Sequence, residues 1–129
     1  MLVATADVND ATEASLLEVG AEVVRFPDGD GRVDLSALMV FLAERGVNSV
    51  LIEAGGTLLA SLIQQGLVSK VEVIIAPMLI GGRAALTPVE GDGVSRLQDA
   101  LRLENVTVGR LGDDIHIVGY PTTGHKDAT

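Results

Sequence analysis

Residues 53–57 read Glu-Ala-Gly-Gly-Thr, at the point where an apolar, β-favouring run gives way to a helical apolar pattern. The first turn of a helix presents N–H groups with no partner inside the helix, together with the positive end of its dipole. A glycine pair there lets the backbone form a concave nest that an anion can approach without meeting a Cβ. Thr57 adds a hydroxyl donor. Phosphate suits such a place. Glu53, the last polar side chain before the turn, can accept hydrogen bonds from a ribose or another polyol hydroxyl. The plainer alternative is a tight strand-to-helix turn with a solvated glutamate. Gly-Gly matches neither the Walker pattern nor the three-glycine dinucleotide fingerprint.

The elements that must position this junction follow from periodicity. Residues 2–5 and 22–26 read as strands, and Asp10 or Thr12 is placed to cap a helix that carries Leu16 and Leu17 and ends at Gly20. Asp34 caps a helix with Leu35, Leu38, Met39 and Leu42 on one face, closed by Gly46. Residues 49–54 read as a strand covered on both faces. Residues 57–65 read as a helix stopped by Gly66. Residues 71–80 read as a long strand whose Pro77 requires an edge or a bulge. A loop with one helical turn covers 81–100, and 103–110 with 114–120 form a terminal antiparallel hairpin. The alternation of strands and helices predicts an α/β fold, a mainly parallel sheet with helices on both faces and an antiparallel edge. Its ligands are expected at the carboxyl ends of the strands.

The bulk composition narrows the function. The chain has 129 residues, enough for one domain, with 47% hydrophobic residues but only one Tyr, two Phe and no Trp, so its core is aliphatic. Nine basic against eighteen acidic side chains give a formal charge of −9. That argues against nucleic acid and against an anionic membrane surface. Without cysteine there is no disulfide and no thiolate chemistry. The N-terminal residues lack the pattern of a signal peptide, and a cytoplasmic protein is expected. The Asp28/Asp30 and Asp113/Asp114 pairs fall in turns, where Asp is favoured in any case, and no metal is expected.

The stretch 34–82 carries a more specific signal. Asp34-Leu35, Gly46, Glu53-Ala54-Gly55-Gly56, Gly66-Leu67-Val68, Ala76-Pro77 and Ile80-Gly81-Gly82 occur in order and with fitting spacing. Together they resemble the reductase domain of riboflavin biosynthesis, the C-terminal half of the bacterial bifunctional deaminase–reductase. The resemblance implies a dihydrofolate-reductase-like fold that uses NADPH. The implied reaction reduces a ribosylamino-pyrimidinone 5′-phosphate to the ribitylamino product. Carried over by position, Gly55, Gly56, Thr57, Leu58, Leu59, Ala60 and Ser61 form the cofactor segment, and Glu53 is the substrate contact. No catalytic side chain is assigned. Ser69-Lys70 stands where the family usually has Asp-Glu. Met1 falls in the middle of the family domain, so the expected arrangement is an N-terminally truncated reductase-like domain over 1–121 and a flexible tail over 122–129. The unpaired sheet edge this leaves favours a homodimer. The rival readings are a non-catalytic dimerising remnant and a dihydrofolate-reductase-like enzyme with another substrate. Thr5, at a strand end, and the Gly81-Gly82-Arg83 turn are secondary ligand candidates. His116 reads as an exposed or dimer-facing strand residue rather than a general acid, and His125 lies in the tail.

Overall fold

The computed structural model describes residues 1–122, which form two compact units, one over Met1–Ile52 and one from Glu53 onward. His125 and the rest of the expected tail from 123 lie outside the described residues.

The first unit contains β1 (Leu2–Thr5), α1 (Asp10–Glu18), β2 (Glu22–Arg25) and α2 (Leu35–Glu44). β1 and β2 pair in parallel, Leu2 opposite Glu22 through Thr5 opposite Arg25, with α1 as the crossover. The cap of α1 is Asn9, whose side chain accepts from the Thr12 amide at 2.9 Å. That is one residue before the expected Asp10. Asn is as good a cap as Asp, and Glu13 in the first turn is ion-paired with Arg25 on β2. The Arg25 hydrogen bond holds the Glu13 carboxyl below its ordinary range. Asp34 caps α2 as its position predicts, accepting from the Ala37 amide at 2.9 Å. Gly46, one residue past the C-cap, takes the left-handed φ of 79° that a non-glycine residue adopts only at a cost. Arg45 ties the end of α2 to β2 through Glu22 and lies 4.1 Å from the centre of the Phe41 ring. Phe41 in turn meets Phe26 edge to face at 5.2 Å. In the 27–33 turn the Asp28 carboxylate accepts from the Arg32 and Asp30 amides, which lowers its pKa.

The second unit contains α3 (Gly56–Gln64), β3 (Val71–Ile75), a 3₁₀ turn (Leu97–Asp99), β4 (Leu103–Leu111) and β5 (Asp114–Pro121). Its sheet is antiparallel in the order β3-β5-β4. The terminal hairpin is as the sequence implies, with Gly112 and Asp113 at its turn and Leu111 opposite Asp114. A bulge between Glu104 and Thr107 holds Asn105 at φ 51°, a conformation Asn tolerates better than most residues. Leu62 is the most deeply buried large side chain, 1% exposed, and Ala60 of α3 is buried as well.

The α/β class, the parallel pairing and the antiparallel hairpin agree with the sequence. Two strand expectations need correction. Residues 49–54 form no strand; Leu51 is 83% exposed. Strand propensity is realised only when a neighbouring backbone supplies a ladder, and among the described residues β1 pairs with β2 alone. The strand expected over 71–80 ends at Ile75, just before Ala76-Pro77, because proline brings no N–H to a ladder. β3 lies at one edge of its sheet.

Asp34→Ala removes the side chain that caps α2. It should lower the unfolding free energy by about 1 kcal/mol in urea denaturation followed by circular dichroism.

Candidate functional site

α3 begins with Gly55 as its N-cap, at φ −68° and ψ 160°, and no side chain among the described residues caps it. The Gly55 carbonyl accepts from the Leu58 and Leu59 amides at 3.1 and 3.2 Å, which closes the first turn. The amides ahead of Leu58 have no carbonyl within the helix to pair with. An ideal Cβ built on Gly55 would meet nothing within 4 Å. The front of the turn is therefore open at Gly55, and a bulky anion can reach the backbone there.

Gly56 differs. It is buried, and a Cβ on it would lie 2.5 Å from Glu90 Cγ, 2.9 Å from Glu90 N and 3.0 Å from Glu90 Cδ. The Glu90 amide donates to the Gly56 carbonyl at 3.2 Å, and the Thr57 hydroxyl donates to Glu90 Oε2 at 2.8 Å. The space that a missing side chain leaves at Gly56 is thus filled by Glu90 of the following loop.

The rest of the expected cofactor segment runs down α3. Leu58 is exposed, Leu59 half-buried and Ala60 buried. The Ser61 hydroxyl donates back to the Thr57 carbonyl at 3.1 Å, so it serves the helix itself. Glu53, two residues before the cap, is exposed, irregular in backbone and without a hydrogen bond among the described side chains. For a nucleotide diphosphate the fit is good at Gly55, where the backbone is bare, and opposed at Thr57, where a carboxylate already takes the hydroxyl.

The secondary candidates stand elsewhere. Thr5 Oγ1 donates to the Asp7 carbonyl at 2.6 Å and belongs to a turn. Gly81, Gly82 and Arg83 are exposed loop residues. His116, half-buried on β5, has Nε2 3.3 Å from Glu72 Oε2, and Glu72 is also paired with Lys70. Those contacts, that from Lys70 foremost, hold the Glu72 carboxyl below its usual range.

Glu90 escaped the sequence reading. It lies 33 residues beyond Thr57 in a glycine-rich stretch with no periodicity. Its only local signal is a carboxylate isolated between Val89 and Gly91, which any turn can carry.

Gly56→Ala should break the Glu90 contact, because backbone stands in the way and cannot swing aside. The expected loss is about 1–2 kcal/mol of stability, with faster hydrogen exchange at the Glu90 amide. Gly55→Ser, whose Cβ enters open space, should leave both unchanged or add a few tenths of a kcal/mol to stability through capping.

Comparison with known proteins places this geometry in a family. The model of the RibD C-terminal domain matches residues 1–117. The 2,5-diamino-6-ribosylamino-4(3H)-pyrimidinone 5′-phosphate reductase of Methanothermobacter thermautotrophicus is 44% identical over 96 residues, covering 74% of this chain and 44% of that protein. The riboflavin biosynthesis protein RibD of Escherichia coli is 38% identical over 96 residues, covering 72% of this chain and 26% of that one. The structure of Acinetobacter baumannii RibD superposes with a TM-score of 0.76 at 25% identity, over 94% of this chain and 31% of that chain. The chain thus spans less than half the length of these relatives. The matched region takes in β1 through the first half of β5, and the chain belongs to the RibD C-terminal domain family.

Proposed function

We propose that the chain is part of a riboflavin-pathway reductase that uses NADPH, with the start of α3 holding the cofactor's diphosphate. The observation that carries the reading is the bare, uncapped Gly55 at the head of α3, inside a region matched throughout by the family. Unpaired first-turn amides and the helix dipole attract an anion, and the absent Cβ lets its oxygens come close. Gly55, Gly56 and Thr57 would face the diphosphate. Leu58 and Leu59 offer apolar surface further along, while Ala60 and Ser61 support the helix from within. When bound, the cofactor supplies hydride chemistry, and the residues of the chain supply position and electrostatics.

The substrate would be a ribosylamino-pyrimidinone 5′-phosphate, the compound named for the Methanothermobacter relative, reduced to its ribitylamino counterpart. Glu53 is assigned to it as a hydrogen-bond acceptor for sugar hydroxyls. It is exposed and has no hydrogen-bond partner among the described side chains, which suits that role. The assembly we infer is a homodimer in the cytoplasm. In support, Val73 and Ile75 on β3, Val108 on β4 and Ile115 on β5 share one face of the antiparallel sheet and are all exposed. Among the described residues no helix is long and apolar enough to cross a membrane.

Gly55→Asp tests the cofactor site. The backbone of Gly55 suits any residue, so the variant should fold with unchanged or slightly higher stability. Its new carboxylate should compete for the same amides and weaken NADPH binding more than tenfold in a fluorescence titration. Unaltered NADPH affinity in that folded variant would reject the site. Glu53→Ala should weaken binding of the pyrimidinone phosphate by about tenfold, the loss of one or two hydrogen bonds to a charged acceptor, and leave NADPH affinity as it was. Equal losses in both would remove Glu53 from the substrate side.

A further inference from the structure

Residues 76–96 join β3 to the 3₁₀ turn without a helix or strand of their own. Connections beyond roughly 12–15 residues without regular structure are uncommon in compact proteins, and they usually serve a function or belong to mobile linkers. This one is tied to α3 by two hydrogen bonds at Glu90: its amide donates to the Gly56 carbonyl at 3.2 Å, and its carboxylate accepts from the Thr57 hydroxyl at 2.8 Å. Gly91 follows the bend over the helix, its Cβ position 3.5 Å from the Ala60 methyl. Most of the segment is exposed, so little else holds it down.

We propose that Glu90 is an internal latch that a dinucleotide diphosphate must displace: the carboxylate and the diphosphate exclude one another at the first turn of α3. This rests on the cofactor reading above. Two features require the exclusion. The Thr57 hydroxyl has a single proton to donate, and Glu90 takes it. A carboxylate at Thr57 also repels an incoming anion in a molecule whose formal charge is already −9. Gly56 and Gly55 then have separate roles. The missing side chain of Gly56 admits the latch from one side, and that of Gly55 leaves the other side open to a ligand. Without a ligand, the loop stays closed on α3. With one, Glu90 turns out and the loop is released or reseated.

The test compares NADPH affinity and amide exchange in the intact chain and in two variants. Glu90→Gln removes the charge and keeps the shape, and Glu90→Ala removes the latch. Both should bind NADPH about tenfold more tightly than the parent, the lower end of the scale for one hydrogen bond to a charged acceptor. In the parent itself, saturating NADPH should speed exchange at the Glu90 amide, a readout that needs no variant to fold. Affinity no tighter in either variant, or slower Glu90 exchange on adding NADPH, would overturn the latch and leave the cofactor site standing. Failure of every form to bind NADPH would overturn the cofactor site and the latch with it.

Discussion

The first amides of α3, like those of any helix, have no acceptor within their own helix, and α3 answers that shortage differently from the helices before it. Other helices of this chain meet it with a side chain: Asn9 at α1 and Asp34 at α2 each accept from an amide at 2.9 Å. α3 starts on glycine and has no such acceptor. A glycine cap is about as stable as a threonine one, because the exposed backbone is well solvated. The choice keeps the helix intact and leaves its positive end free for something outside the helix.

Two carboxylates stand near that end, with opposite consequences. Glu53 precedes the cap, is exposed and holds no partner among the described residues. Glu90 comes from a distant loop and is bound through both its backbone and its side chain. A protein with this excess of acid attracts an anion only through local dipoles, since its overall field is repulsive. The position of a single carboxylate therefore matters more here than it would in a basic protein. One hydrogen bond at Thr57 sets whether the start of α3 faces a proton acceptor of its own or one brought by a ligand.

The rest of the molecule offers a thin core for such a site. Ala21, Leu35, Ala60 and Leu62 are its buried hydrophobic side chains among the described residues, while large aliphatics such as Leu79, Ile80 and Leu86 face outward. Small sheets need a covered apolar face to be stable, and the antiparallel sheet leaves part of its own uncovered. The same aliphatic composition that makes the helices and strands easy to read thus leaves surface that a partner copy would bury.

Much of this was legible in the chain itself. Local signals act within a few residues, so the three helices, the Asp34 cap, the glycine stops and the Gly112-Asp113 hairpin follow from side-chain type and spacing. The ordered motifs from Asp34 to Gly82 sufficed to indicate the family that the comparison then established. What the sequence could not determine is whatever needs two distant segments to meet. The 49–54 run has every propensity of a strand, yet a strand exists only where another backbone pairs with it. Glu90 looks like any loop glutamate until folding carries it across 33 positions to Thr57. Gly55 and Gly56 are identical as letters. Only the tertiary structure separates them, because it fills the space beside one with a carboxylate and leaves the space beside the other empty.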